Sequence, residues 1–296
     1  MSANETCCPY CFEKGKINPT INRVETGAFH SYSKEYVCFN CKNILDRDLV
    51  EKKNIPTFSI GMIGFAEQGK TRYLQSLLSF LGKQQRSNDE WEQFQVMHCN
   101  EEARNGIHEV NERENEWSKA PFTLSMFQII DMPYIGNRFI KVYDPHDGDI
   151  FTQSLKIREQ AYYLAHCDLI LFIIDVAKIQ REEKANENLR KLLDILQVEQ
   201  VLPKDPKFTI VLINEDTDEN IGDLWSDQES LQDPVLYSKL EEDSQVVKNW
   251  FMEQNNEYRG FANVLENQFS SNPISYTFLK NYKDAGILTP LLWALK

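Results

Sequence analysis

Gly64-Phe65-Ala66-Glu67-Gln68-Gly69-Lys70-Thr71 follows the apolar run Phe58-Ser59-Ile60-Gly61-Met62-Ile63 and precedes a helical pattern over about residues 70 to 83. The octet has the form G-x-x-x-x-G-K-[ST], which average residue usage produces by chance in about one chain in a hundred of this length. Here it also stands between a strand pattern and a helix pattern. In that context a glycine-rich turn aims its backbone N–H groups at phosphate oxygens, and the helix N-terminus adds its positive dipole end. The stretch therefore predicts a phosphate cradle, with Lys70 reaching the β- and γ-phosphates and the Thr71 hydroxyl ligating magnesium. Gly64, Glu67, Gln68, Gly69, Lys70, Thr71 and Arg72 form the nucleotide-contacting set it implies.

Such a cradle needs an acidic partner at the end of a neighbouring strand, and Phe139-Ile140-Lys141-Val142-Tyr143-Asp144 supplies one. Asp144 is placed to hold magnesium directly or through water. The loop Pro145-His146-Asp147-Gly148-Asp149 then reads as a γ-phosphate sensor, with the Gly148 N–H as donor. It departs from the usual D-x-x-G by one residue, because Asp147 occupies the third position after Asp144 and Gly148 the fourth.

Working outward, apolar runs at 58–63, 139–143, 169–174 and 208–213, with a weaker one at 274–278, suit buried parallel strands. Helical patterns lie at about 70–83, 153–166, 180–198 and 237–256, and 288–295 closes the chain as a last helix. Alternation of this kind predicts an α/β fold, a mainly parallel sheet flanked by helices. The polar stretch 84–120 interrupts it and reads as a helical or mobile insertion. The domain division expected is 1–54 and 55–296.

Composition supports that division. Five of the seven cysteines precede residue 42, and Cys8-Pro9-Tyr10-Cys11 and Cys38-Phe39-Asn40-Cys41 are two C-x-x-C knuckles. In a chain with no secretion-signal pattern at its start, this spacing points to metal rather than disulfides. Four thiolates from Cys8, Cys11, Cys38 and Cys41 would bind one tetrahedral zinc, with short hairpins between the knuckles, as in a zinc ribbon. Cys7 adjoins Cys8 and competes as a ligand at a less usual spacing. His30, His98, His108 and His166, with Cys99 and Cys167, show no ligand spacing.

Residues 1–56 are nearly neutral, with eight Lys or Arg against seven Asp or Glu, so the remainder carries slightly more than the whole net charge of −13. That balance argues against broad attraction to nucleic acid or an anionic membrane. No apolar run approaches bilayer length. A cytoplasmic location is the expectation.

With these motifs in view, the chain resembles the TRAFAC-clade GTPases, and within them the bacterial double-GTPase-like group found beside zinc-ribbon modules. The resemblance covers residues 57–296 through "GFAEQGKT", "KVYDPHDGD", "DLILFIID" and "LTPLLWAL". It implies a Ras-like P-loop domain that binds GTP with magnesium and cycles to GDP by hydrolysis. It also implies a threonine that closes over magnesium, for which Thr123 is the match. Guanine reading in the family rests on N-K-x-D or T-K-x-D. Here Asn214-Glu215-Asp216 places Asp216 at the base and Asn214 where lysine usually stands, while the alternative register puts Thr217 at the base. The missing lysine leaves ATP open behind GTP.

No glutamine follows the sensor glycine, so His146, Asp147 or Asp149 would orient the attacking water. No arginine finger is evident, which predicts slow intrinsic turnover. The expected role is a nucleotide-driven switch, with a bacterial conflict or defence setting suggested by the resemblance. The expected partner is a protein met through the ribbon or the 84–120 insertion, with nucleic acid less favoured. The competing reading is a ribbon adaptor whose nucleotide domain turns over little.

Overall fold

The computed structural model describes residues 7–15, 17–26, 29–52, 54–65, 69–84, 95–98, 121–132, 135–146, 157, 159–177, 191–192, 194–196, 198, 200–203, 207–214, 234–254, 256–270, 274–280 and 285–296. They fall into two compact units that divide between Thr57 and Phe58.

The first unit is a three-stranded sheet with one short helix. Strands β1 (Ile17–Thr26) and β2 (Phe29–Cys38) pair antiparallel along their whole length, Ile17 opposite Cys38 and Thr26 opposite Phe29. The two-residue β3 (Ile44–Leu45) adds to the far side of β2. Helix α1 (Arg47–Glu51) starts at Asp46, whose carboxylate accepts from the N–H groups of Asp48 and Leu49, as an aspartate N-cap does. The buried core among the described residues is Cys8, Tyr36, Cys38, Leu45 and Val50. So small a core, two of its members thiols, supplies little hydrophobic stabilisation. A cross-link by metal is the physical complement.

The second unit is a seven-stranded sheet. Its strands are β4 (Thr57–Ile63), β5 (Gln95–His98), β6 (Phe122–Met132), β7 (Gly136–Pro145), β8 (Leu169–Asp175), β9 (Lys207–Ile213) and β10 (Ile274–Leu279). They lie in the order β10-β9-β8-β4-β7-β6-β5. The pairs β4/β8, β8/β9 and β9/β10 are parallel, whereas β6/β7 and β5/β6 are antiparallel. Helices with both ends among the described residues include α2 (Lys70–Gln84), α3 (Pro234–Gln254), α4 (Asn256–Gln268) and α5 (Thr289–Leu295). A mixed α/β architecture with a mostly parallel central sheet is thus present. β8, Leu-Ile-Leu-Phe-Ile-Ile-Asp, is buried at its first six positions, the unbroken apolar run of a strand covered on both faces. Among the described residues no helix is long and apolar enough to cross a membrane.

Several expectations need correction. The 84–120 stretch, read as helical or mobile, contains β5, which pairs with β6 as an edge strand. Most of the rest of that stretch lies outside the described residues. β6 has no counterpart among the expected strands. Its buried Ser125 and Gln128 interrupt the apolar pattern, and its eleven residues hide the alternation. Consequently β7, expected among parallel strands, has an antiparallel neighbour. The helix expected over 153–166 ends as a 3₁₀ turn, Tyr162–His166. The one expected over 237–256 starts at Pro234, and a second helix follows from Asn256.

Ties between distant segments position the sheet ends. The Ser59 N–H donates to Asp168 Oδ2 at 2.7 Å, and the Tyr73 hydroxyl donates to the Ile287 carbonyl at 3.0 Å. Lys207 Nζ donates to the Ala294 carbonyl at 2.7 Å, a cation at the C-terminal end of α5 where the helix dipole favours it.

Candidate functional site

Two constellations emerge. The first is in the small unit, where the sulfurs of Cys8, Cys11, Cys38 and Cys41 all lie within 4.8 Å of one another. The two knuckles are built alike. In each, the N–H four residues after the first cysteine donates back to that cysteine's carbonyl, Phe12 to Cys8 at 2.9 Å and Lys42 to Cys38 at 3.0 Å. Each first-cysteine N–H in turn donates five residues on, Cys8 to Glu13 at 3.2 Å and Cys38 to Asn43 at 3.0 Å. Phe12 and Lys42 both adopt left-handed backbone, φ 57° and 64°, a conformation that usually falls to glycine.

The sulfur separations Cys8–Cys41, 3.6 Å, and Cys11–Cys38, 3.7 Å, match the edge of about 3.8 Å that a tetrahedron with 2.3 Å metal–sulfur bonds requires. Asn43 Nδ2 donates to Cys41 Sγ at 3.3 Å, a second-layer contact of the kind that holds a thiolate in place. Burial pushes the Cys8 and Cys11 thiols up. Burial also pushes Cys38 up, but backbone N–H groups of Cys41 and Asn40 with the neighbouring thiols outweigh it and bring Cys38 down to about 7. The four-cysteine group is positioned to bind a metal. Cys7 stands outside it, exposed, with its thiol on the Phe12 carbonyl at 3.1 Å.

The second constellation lies at the C-terminal ends of β4 and β7. Gly64 follows β4 where there is no room for a side chain. A Cβ there would stand 2.7 Å from the Ile173 carbonyl oxygen and 3.3 Å from Lys70 Cγ. Gly69 has φ 84° and opens α2, its carbonyl accepting from the Tyr73 N–H at 2.7 Å. Only glycine meets either demand without strain. Lys70 is buried, and its ammonium donates to the carbonyls of Gly64 at 2.9 Å and Phe65 at 2.8 Å.

Thr71 Oγ1 donates to Asp144 Oδ2 at 2.7 Å, joining groups 73 residues apart. The other carboxylate oxygen, Asp144 Oδ1, is buried with no hydrogen-bond partner among the described residues. Burial drives the Asp144 carboxyl up to about 6, against the Thr71 hydrogen bond and the Lys70 charge that lower it. A buried carboxylate oxygen left without a donor suits a hard cation, whose preferred ligands are oxygens of this kind.

Thr123 sits opposite Asp144 in the β6/β7 register, so the two side chains share a face of the sheet. Its Oγ1 is 2.9 Å from His146 Nε2, and the His146 N–H donates to the Pro121 carbonyl at 3.2 Å. Partial burial pushes the imidazole below its ordinary value. The Asn214 N–H donates to the Leu279 carbonyl at 3.1 Å, which ties the end of β9 to the end of β10.

The structure therefore brings Gly64, Gly69, Lys70, Thr71, Asp144, Thr123 and His146 to one end of neighbouring strands. Arg72 is exposed on the first turn of α2. Glu67, Gln68, Asp147, Gly148, Asp149, Asp216 and Thr217 lie outside the described residues. One supporting residue gives no signal in the sequence. Tyr163 is fully buried and donates its hydroxyl to the Met62 carbonyl at 3.2 Å. It stacks on Tyr143 with ring centroids 5.6 Å apart, bracing β4 just before Gly64.

No family model matches the chain, and no curated protein does. Among solved structures, the chain is similar to the crystal structure of a mutation variant of SsGBP, at 17% sequence identity and a TM-score of 0.27. That match covers 75% of this chain and 60% of the other, less than two thirds of its length. A likeness at this score carries no argument.

Proposed function

We propose that the chain is a P-loop nucleotide hydrolase of the TRAFAC type that binds GTP with magnesium and acts as a molecular switch, joined to an N-terminal zinc ribbon. One observation carries the reading. The threonine that ends G-x-x-x-x-G-K-T donates to the acidic residue at the end of the adjacent strand, and that acid's second oxygen is buried without a donor among the described residues. A chance octet has no reason to meet Asp144 in this way. The strand order supports the reading too, since β4 with its glycine loop lies centrally, between β7 and the parallel β8. In open α/β sheets ligands bind outside the carboxyl ends of such strands.

In this reading Thr71 and Asp144 hold the cation, and Thr123 joins them. Magnesium, when bound with the nucleotide, supplies charge neutralisation at the phosphate oxygens. Lys70 exchanges its two loop carbonyls for phosphate oxygens, so nucleotide binding costs the hydrogen bonds it now makes. Asp216 and Asn214 read the base, which favours GTP over ATP. His146, Asp147 or Asp149 orients the attacking water, and the Gly148 N–H senses the γ-phosphate. Four thiolates from Cys8, Cys11, Cys38 and Cys41 hold zinc, for which tetrahedral sulfur is a preferred set. The ribbon or the 84–120 stretch meets a protein partner in the cytoplasm, in a bacterial conflict or defence setting.

Calorimetry of the zinc-loaded chain with GTP and ATP, each with and without magnesium, tests this. Binding of GTP that needs magnesium and weakens about a hundredfold or more in Lys70→Ala is expected, since an ammonium–phosphate pair in a water-excluded site is worth several kcal/mol. Absence of binding to either nucleotide refutes it. The extra residue between Asp144 and Gly148 favours a second reading, a ribbon adaptor that binds nucleotide without turnover. Phosphate release that disappears in Asp144→Ala excludes that alternative.

A further inference from the structure

The hydroxyl protons around Asp144 follow a pattern that assigns a role to His146. A hydroxyl ligates a cation through an oxygen lone pair, so its proton must be directed elsewhere, to an acceptor. Thr71 meets that condition, because its proton goes to Asp144 Oδ2. Asp144 Oδ1 receives no donor among the described residues. Thr123 lies across the strand pair from Asp144 and on the same face, and its hydroxyl meets His146 Nε2 at 2.9 Å.

Two arrangements satisfy that distance. If Nε2 carries the proton and donates, one of the Thr123 oxygen's lone pairs is consumed and its own proton is left to solvent. If the proton is on Nδ1, Thr123 donates to Nε2 and both oxygen lone pairs are left for another ligand. Only the second arrangement treats Thr123 as the structure treats Thr71.

We propose that His146 is a positioning residue for the cation site: its Nε2 accepts the Thr123 proton and so presents the Thr123 oxygen beside Asp144 Oδ1 as a cation ligand. This rests on the nucleotide reading above and assigns His146 a place behind the cation ligands instead of at the attacking water. The backbone that carries the imidazole is itself fixed, since the His146 N–H is bound to the Pro121 carbonyl at 3.2 Å. Two hydrogen bonds thus join the strand end carrying His146 to the strand start carrying Thr123. Second-layer partners of this kind typically contribute 10–100-fold to metal affinity.

The test uses the full zinc-loaded chain. Nitrogen-15 NMR of its histidines without magnesium or nucleotide, with His146→Gln for assignment, reads the tautomer. Protonated Nδ1 and bare Nε2 at His146 are expected, and the reverse overturns the proposal. Manganese affinity is then measured by electron paramagnetic resonance with a slowly hydrolysed GTP analogue. His146→Ala should weaken manganese binding about tenfold. His146→Gln, which keeps a neutral acceptor, should restore it to within about twofold, and His146→Ala should add nothing in a Thr123→Ala background. Unchanged affinity in His146→Ala, no rescue by glutamine, or full additivity with Thr123→Ala overturns the role. A wild-type chain that binds neither analogue nor manganese overturns the nucleotide reading itself and this inference with it. A wild-type chain that binds both, with variants that do not differ, overturns only the role of His146.

Discussion

Before Thr57, four sulfurs converge because two short turns of the same construction face each other, each closed by its own backbone hydrogen bonds within six residues. Around Gly64 the equivalent convergence is assembled over much longer range. Thr71 meets Asp144 from 73 residues away, Gly64 abuts the carbonyl of Ile173, and Lys70 is folded onto its own loop. The first site is ready for its ligand as it stands. The second holds its cationic side chain on internal acceptors. A site made of local turns sits in a small unit with little core of its own, whereas a site made of strand ends inherits its rigidity from a large sheet.

Removing one sulfur should break this contrast most sharply. Cys38→Ser is expected to lower zinc from one per chain towards none and to collapse the β1–β2 unit, because structural zinc contributes on the order of 10 kcal/mol to folding. Elemental analysis and amide exchange report it. Dispersed amides for 7–52 in a metal-free chain would overturn the dependence. The sheet of the second unit should survive the change.

Next in size is Gly64→Ala. Its Cβ would press on a backbone carbonyl of β8 at 2.7 Å, a clash that no rotamer change relieves. A destabilisation of about 1–3 kcal/mol is expected, as for overpacking in a dense interior, measured by urea unfolding. An undiminished midpoint would mean that the loop moves freely.

Asp144 yields a pH-dependent effect of comparable size. Its folded value is raised to about 6 by burial, so the folded chain holds this proton more tightly than the unfolded chain. The stabilisation it gives is fully present below the ordinary carboxylate range and is lost as the pH rises through about 6. In zinc-loaded protein without magnesium or nucleotide, wild type should therefore lose stability relative to Asp144→Asn as the pH is raised from the ordinary carboxylate range to above the folded value, by up to about 3 kcal/mol. Parallel pH curves for the two proteins would show that the carboxyl is not raised.

The smallest expected change returns to the knuckles. Lys42→Gly removes the cost of left-handed backbone at φ 64° but gives up an exposed ammonium–ring interaction with Phe39 at 4.4 Å. A net gain of up to about 0.5 kcal/mol follows, visible as a higher thermal midpoint of the small unit in the zinc-loaded chain. A lower midpoint would assign the ring interaction the larger share.

Much of this architecture is written in local sequence. The spacing of Cys8, Cys11, Cys38 and Cys41 announces a convergent four-sulfur group, since each C-x-x-C turn specifies its own geometry. The runs at 58–63, 169–174, 208–213 and 274–278 announce buried strands, since a strand covered on both faces has no polar alternation to disguise it. The G-x-x-x-x-G-K-T octet places its own two glycines at the turn and the helix start.

Tertiary structure decided the rest. β5 and β6 are illegible in the sequence because polar Ser125 and Gln128 are buried within β6, and β5 lies in a polar stretch. Asp144 is legible as an acid at a strand end, but its bond to Thr71 and its bare Oδ1 depend on how β4 and β7 lie side by side. The meeting of Thr123 with His146 likewise depends on the β6/β7 register, in which Thr123 faces Asp144. A one-residue slip of that register would turn Thr123 to the opposite face. Local sequence determines what a short turn or an apolar run can hold within itself, and only the packed sheet decides which chain-distant side chains share a face.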